Sequence, residues 1–338
     1  MQYVRSSERA YRAALMVVAI CSRALHVRGQ LILCLHSVTA QMAGDSLATS
    51  LSVTDQFLED LIQDCARKAV PIVSLREALE RWQRHDRSPF LVITFDDGYR
   101  DLYVNGFPVF KRHSVPFTVF VTTGIADRLT PMWWHALELA VKRTERFNLL
   151  DGPVTVVDQK EKNSVIAMLS KHFLTASSDR RRHLIQELAA RNKTLNLDDA
   201  YGSGLDWNMI KIMHDSGLAE IGAHSVSHSV FANLDCSSLE WEISKSRDRL
   251  IEMTGIKPRY FAYPFGQNHE VGKDAHGWVE SCGFEAAFST NQSLLCNHSV
   301  TDRYCIPRLV LSKKGQDVTV VQAYMSGWPQ MIRQRLAI

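Results

Sequence analysis

Blocks of apolar residues recur along this chain at spacings that separate strands from helices. Residues 31–35 (LILCL) form a continuous apolar run ending in His36, the pattern of a strand buried on both faces. Thr54 opens a stretch in which Phe57, Leu58, Leu61 and Ile62 fall at helical spacing. Ser74 followed by Glu77 is a capping-box signature for a second helix reaching Trp82. Residues 90–95 and 117–121 (FTVFV) read as further buried strands, with a helix over 102–113 between them. Such alternation predicts parallel strands joined by helical crossovers. From about 127 to 206 the rhythm breaks. Pro131-Met132-Trp133-Trp134-His135 leads into an amphipathic helix, followed by charged, mostly helical material such as 179–191. We read this stretch as a helical insertion in one domain. The alternation resumes with helices over 207–217, 239–254 and 276–283 and strands over 219–223, 260–262, 286–289 and 305–311. About seven strand–helix units suit a closed or nearly closed α/β barrel, with chemistry at the C-terminal ends of its strands. The expected organisation is an N-terminal helical extension over 1–30 and a barrel over 31–325 that carries the insertion.

Composition changes this picture little. The 338 residues are 46% apolar and 22% charged, ordinary globular usage. A formal net charge of +3 without a concentrated basic patch argues against a nucleic-acid partner. The seven cysteines are odd in number, scattered and free of any C-x-x-C pair, which favours buried thiols in a reducing compartment over a disulfide framework. Near the start, Arg5, Arg9 and Arg12 precede an apolar run over 13–22 that Arg23 interrupts. A membrane span needs about twenty apolar residues, and no small-residue cleavage site follows to make an export signal. Residues 7–26 therefore read as a helix packed on the body of the protein, with peripheral attachment to a membrane face as the alternative. The expected location is cytoplasmic.

Two short constellations carry candidate chemistry. Asp96-Asp97-Gly98 directly follows the strand 91–95. Adjacent carboxylates at a strand end point in different directions, so one can bind a cation while the other stays free as a base. The bland alternative is a solvated Asp-Gly turn. His224-Ser225-Val226-Ser227-His228 follows the strand 219–223. Histidines four apart can share one metal from one face of a helical turn, and the alternative is a pair of surface histidines. Each motif makes the other more credible. One Asp with two His leaves coordination positions open, as a catalytic rather than a structural site requires.

Thr94-Phe95-Asp96-Asp97-Gly98 resembles the first motif of the polysaccharide deacetylases, carbohydrate esterase family four. The His224-to-His228 segment is similar to their second motif, H-[ST]-x-x-H. Phe261-Ala262-Tyr263-Pro264-Phe265-Gly266 resembles their third, in a variant that reads F-A-Y-P-[YF]-G. Order and spacing agree, and the resemblance covers about 31–126 and 205–312. It implies a distorted (β/α)7 barrel and hydrolysis of an N-acetyl group, less often an O-acetyl group, on a saccharide. Carried over position by position, Asp96 matches the general base. Asp97, His224 and His228 match the ligands of a divalent metal, usually zinc or cobalt. Phe265 stands where a tyrosine is common, and its backbone N–H would hold the oxyanion. Tyr263 and Pro264 in the same motif are assigned to substrate binding.

The sequence also departs from the family pattern. Many members have an arginine at the position of Ala262 to orient the base. Arg308, in Ile306-Pro307-Arg308, is the substitute, with Arg259 a weaker candidate expected further from the site. Many members also supply a general acid from L-x-H on the last strand, whereas Leu309-Val310-Leu311-Ser312 has no histidine. His36 is the replacement, since it ends the first strand and should face the same mouth. Trp133 and Trp134 suit a sugar-stacking platform or a staple fixing the insertion to the barrel, and His135 reads as polar surface. The resulting expectation is metal-dependent N-deacetylation of an amino sugar, in a cytoplasmic glycan precursor linked to lipid or nucleotide. The rivals are an O-acetyl esterase or non-sugar amidohydrolase on the same site, and a saccharide-binding protein without turnover.

Overall fold

The computed structural model describes residues 29–40, 51–295, 302–311 and 316–327. The helix expected over 7–26 lies outside them. In chain order the strands are β1 (Gln30–Leu35), β2 (Ser37–Thr39), β3 (Ser52–Thr54), β4 (Phe90–Phe95), β5 (Phe117–Val121), β6 (Arg146–Leu149), β7 (Gly152–Thr155), β8 (Ala219–Ala223), β9 (Tyr260–Ala262), β10 (Ala286–Phe288) and β11 (Leu309–Val310). Seven of them form one sheet in the order β10-β9-β8-β5-β4-β1-β11. Every pairing in it is parallel. β1 and β4 are buried at all positions, which explains why they read as unbroken apolar runs rather than alternating ones.

The last strand reaches both edges of the sheet. Ile306 bridges Phe288 at the end of β10, while Leu309 pairs with Leu33 of β1. Between them Pro307 offers no N–H for a ladder. The sheet is thus a distorted (β/α)7 barrel whose seam is spanned by residues 306–310, with Arg308 inside the seam. Register then fixes the mouth. Leu35 lies opposite Phe95 and Val121 opposite Ala223, so His36 and Asp96 leave neighbouring strands together, as do Thr122 and His224.

Helices cover the outside of the barrel. Thr54 caps the helix Asp55–Arg67 through the Phe57 N–H. The Ser74 hydroxyl accepts the Glu77 N–H, but the Glu77 carboxylate is drawn to Arg81, so only half of the expected capping box forms. The expected helix 102–113 divides into a π-helical turn, Leu102–Gly106, and an α-helix, Phe107–His113. Pro108, which cannot donate into a helical ladder, sits at the junction.

Residues between β5 and β8 build a core of their own. Helices Trp133–Lys142, Gln159–Thr175, Ser178–Arg191 and Leu197–Tyr201, with the hairpin β6–β7, enclose Trp133, Leu137, Phe147, Phe173, Ile185 and Leu188. The hairpin was not anticipated. Leu149 pairs with Gly152 across a two-residue turn, and Gly152 takes a positive φ of 137°.

One half-buried carboxylate fastens the segment after His36. Asp101 accepts the Val38 N–H at 3.0 Å and the Ser37 hydroxyl at 2.5 Å. Burial pushes this carboxyl up to about 6, although both hydrogen bonds oppose the shift. A raised folded-state value means that stability is full below the unfolded pKa near 3.8 and is lost as pH rises through about 6. Asp101→Asn keeps an acceptor for Val38 without the buried charge. Thermal unfolding at several pH values should show the variant more stable by about 1–2 kcal/mol near pH 7.5, with the difference gone near pH 4. Equal stability at both pH values would mean that Asp101 is not ionised at a cost in the folded protein.

Candidate active site

Asp96 is buried at the mouth of the barrel, its backbone N–H bonded to the Leu35 carbonyl. Arg308 grips it with two parallel bonds, Nη1 to Oδ1 at 2.7 Å and Nη2 to Oδ2 at 2.6 Å. The same guanidinium donates to the Thr94 hydroxyl at 3.0 Å and to the Ser289 carbonyl at 3.2 Å. It has no exposure to solvent. The Cys34 thiol adds a contact to Asp96 Oδ2 at 3.3 Å. Burial would raise the Asp96 carboxyl, but the guanidinium together with the nearby His224 and His36 imidazoles holds the group below its ordinary value. Asp96 is therefore a fixed carboxylate at neutral pH. Cys34, His36 and Asp96 also cluster closely enough to suggest a cation site, but both Asp96 oxygens are already committed to Arg308.

Asp97 turns the other way, with a left-handed backbone at φ 70°. Its Oδ1 lies 3.3 Å from His224 Nε2 and 3.0 Å from His228 Nε2. These three donor atoms converge, yet the buried Oδ1 has no hydrogen bond of acceptable geometry. Unshared lone pairs directed at one point fit a divalent cation better than they fit one another. His224 Nδ1 donates to the Ala262 carbonyl at 2.7 Å, which fixes the tautomer that leaves Nε2 free as a ligand.

The loop bearing the histidines is hydrogen-bonded throughout. Thr122 Oγ1 donates to the His224 carbonyl, and the Thr123 and Gly124 N–H groups donate to the carbonyls of Ser225 and Val226. A Cβ on Gly124 would stand 2.5 Å from the Val226 oxygen, so only glycine permits this approach. The histidines thus sit in an irregular, fastened loop rather than on a helical turn.

A cleft of about 490 Å³ opens over these groups, a size suited to a small ligand or a stretch of polymer. His36, Asp96, Asp97, His224, His228, Phe265 and Trp134 all line it. His36 is partly buried and its Nδ1 has no partner, and burial lowers its pKa. Trp134 donates its Nε1–H to the Tyr99 hydroxyl at 2.7 Å and lays its ring 4.9 Å from that of His228. The Phe265 ring lies 4.7 Å from the same imidazole.

Three expected substrate contacts lie elsewhere. Trp133 is buried and stacks on Phe173 inside the insertion core, so it is a staple and not part of a platform. Tyr263 is fully buried and donates its hydroxyl to the Tyr304 carbonyl. Pro264 is buried below the cleft, where its carbonyl accepts the Gly266 N–H. These two shape the turn that presents Phe265. Arg259 pairs with Glu285 on the exposed surface. Sequence reasoning overlooked Cys34 and Tyr99. Cys34 lies on β1 two residues before His36, which directly follows that strand, and that spacing was the available clue.

Residues 83–287, more than half of the chain, match the model of a family described as polysaccharide deacetylase. The chain belongs to the polysaccharide deacetylase family. Hydrolytic deacetylation of a polysaccharide comes with that membership. No curated protein matches the chain. Among solved structures, this deacetylase is similar to the Streptococcus pyogenes deacetylase PplD in complex with acetate, at 13% identity and a TM-score of 0.58 over 88% of this chain and 98% of that one. It is similar to IcaB from Ammonifex degensii, at 17% identity and 0.55 over 88% and 97% of the two chains. A de-N-acetylase from Aggregatibacter actinomycetemcomitans gives 16% identity and 0.55 over 87% and 99%. At such identities the likeness establishes the shared fold.

The adjacent residues Trp133 and Trp134 should separate on mutation. Trp133→Ala should cost about 3–5 kcal/mol of stability in the insertion core and leave KM for the polysaccharide unchanged. Trp134→Ala should instead raise KM or lower kcat with a smaller loss of stability. Denaturant unfolding beside steady-state kinetics reads both, and the reverse pattern would exchange their roles.

Proposed function

We propose that this protein hydrolyses the N-acetyl group of an amino sugar, in a saccharide or glycan precursor, with a divalent metal held by Asp97, His224 and His228. The observation that carries this reading is the pairing of a buried, Arg308-locked Asp96 with three converging donor atoms in one cleft. The donor set, one carboxylate with two imidazoles, suits zinc, with cobalt as a substitute. When bound there, such an ion supplies Lewis acidity that lowers the pKa of water and polarises the acetyl carbonyl.

The chain's own residues do the rest. Asp96, kept ionised by Arg308, takes the proton from the attacking water. The Phe265 N–H, which has no acceptor among the described residues, points the turn's free donor at the developing oxyanion. A donor of this kind is typically worth about 3–4 kcal/mol. His36, at the end of the strand beside Asp96, delivers a proton to the leaving nitrogen. Trp134 forms the aromatic wall for a sugar ring. Membership in the family and similarity to the Aggregatibacter actinomycetemcomitans de-N-acetylase support attack on an amide rather than an ester. The setting we propose is cytoplasmic. Its support is that the five described cysteines are all free thiols. No helix among the described residues is long and apolar enough to cross a membrane, and peripheral attachment through residues 7–26 is part of the same proposal.

The decisive test is product analysis with zinc- or cobalt-loaded protein on N-acetylated and O-acetylated saccharides. Acetate and free amine should appear together, and Asp96→Asn should lower kcat by at least about a hundredfold. Acetate without amine would make the protein an esterase. Binding of sugar without acetate would make it a saccharide-binding protein.

Arg308→Met removes the largest of the charges that counter burial at Asp96, so the Asp96 pKa should rise. The acidic limb of kcat/KM should therefore move to higher pH. The variant should also lose about 3–5 kcal/mol of stability, because a buried carboxylate is left unpaired. An unmoved acidic limb in a folded variant would dissociate Asp96 from that limb.

A further inference from the structure

His224 and His228 are supported in different ways. The His224 ring is oriented by its own hydrogen bond to the Ala262 carbonyl. His228 Nδ1 is buried and has no hydrogen-bond partner, so apart from the Asp97 carboxylate that faces Nε2 nothing polar fixes that ring directly. Its backbone is also left-handed, with φ 52°, a conformation that a residue with a Cβ keeps only when its surroundings impose it.

Two buried charges from separate elements impose it. Arg181, on the insertion helix Ser178–Arg191, is 4% exposed. Its Nη1 donates to the carbonyls of Ser227 at 3.2 Å and His228 at 3.1 Å, and its Nη2 to the Ser229 hydroxyl at 3.3 Å. Its Nε is anchored on the carbonyls of Phe173 and Ala176. From the other side Glu242, 4% exposed on the barrel helix Cys236–Thr254, accepts the N–H groups of Val226 at 2.8 Å and Ser227 at 2.9 Å. It also accepts the Ser227 hydroxyl. The cation holds the loop by its carbonyls and the anion by its amides. Neither side chain reaches the cleft, whose lining includes neither of them.

We propose that Arg181 and Glu242 are positioning residues for His228, and that the helical insertion is thereby a working part of the metal site. This inference rests on the metal reading of Asp97, His224 and His228. Because the ring of His228 has no polar support beyond the Asp97 carboxylate, the direction of Nε2 follows from where the backbone of 227–229 is held. Loss of either clamp lets the loop relax from its left-handed turn and swings Nε2 away from Asp97 Oδ1. Removing an outer support of this kind typically weakens metal binding about 10- to 100-fold.

The test uses the full chain, stripped of metal and titrated with zinc, and separately loaded with cobalt for its visible spectrum. Arg181→Met should keep the fold, weaken zinc binding about 10- to 100-fold and alter the cobalt bands. At saturating zinc it should lower kcat while leaving KM within about twofold, the split expected when ligand geometry is disturbed and the substrate wall is not. Arg181→Lys retains the charge but cannot hold both carbonyls, and should fall between the two. Folded Arg181→Met with wild-type zinc affinity and cobalt spectrum would overturn the proposal. If Arg181→Met does not fold, Glu242→Gln carries the test with the same readouts, where weakened zinc binding supports the clamp and unchanged binding and spectrum overturn it. Failure of the metal reading itself looks different, since the wild type would bind no zinc or His228→Ala would bind it as well as the wild type does.

Discussion

A guanidinium without access to water sits in the seam of this barrel, and the geometry of the mouth depends on it. Taking an arginine out of solvent costs several kcal/mol, recovered only when the partner geometry is good and the remaining donors are used. Arg308 meets both conditions through its fork on Asp96 and its bonds to Thr94 and Ser289. Those partners come from the ends of β4 and β10, so the strand carrying Arg308 must return between the two edges of the sheet. Closure of the fold and ionisation of Asp96 are thus one interaction. It also accounts for Ala262. With the cation arriving from the last strand, none is needed on β9.

Backbone strain is concentrated at the same mouth. Among the described residues, eight non-glycine positions have positive φ, and four of these are Asp97, Ser225, His228 and Phe265. Left-handed backbones of this kind cost on the order of 1 kcal/mol each. They persist because adjoining groups leave no alternative, as when Thr290 donates its hydroxyl to the Phe265 carbonyl and Ser225 Oγ accepts the His228 N–H. The result is a set of polar atoms aimed at one cleft before any ligand arrives. That preorganisation is the physical meaning of spending stability at a catalytic site.

The sequence revealed those parts of this arrangement that depend on short-range pattern. Unbroken apolar runs marked β1, β4 and β5 because parallel strands buried on both faces have no polar side to show. Asp96-Asp97 and His224 to His228 were legible because their spacing is a local property. Arg308 was found by asking what could replace a missing arginine, which is a question about chemistry and not about neighbours. The losses have equally physical causes. Trp133 and Trp134 are adjacent on one helix, and successive helical residues face about 100° apart, so one entered a core and the other a cleft. Composition could not say which. Arg181 and Glu242 look like ordinary helix charges, since their burial is created by packing between the insertion and the barrel. The hairpin β6–β7 was obscured by the charged helices around it, although a glycine at the last position of its turn, Gly152, was a local signal for it.

The division of labour between barrel and insertion follows from these placements. Every group that handles charge, from Asp96 and Arg308 to His224 and His228, comes from a barrel strand or the loop that follows one. The insertion contributes Trp134, Glu138, Ile166 and Ser170 to the opposite wall of the cleft. That wall faces the cleft away from the Asp96, Asp97 and His224 groups, except where the Trp134 ring meets the His228 ring. A barrel built around a buried ion pair tolerates little change, because each partner is fixed by several others. The insertion has a separate hydrophobic core, so its cleft-facing side chains can change while its fold survives. On the function proposed above, selection among saccharides falls mainly to the insertion wall, and the hydrolytic step to the barrel. Contact between Trp134 and His228 is where a change in the first reaches the second.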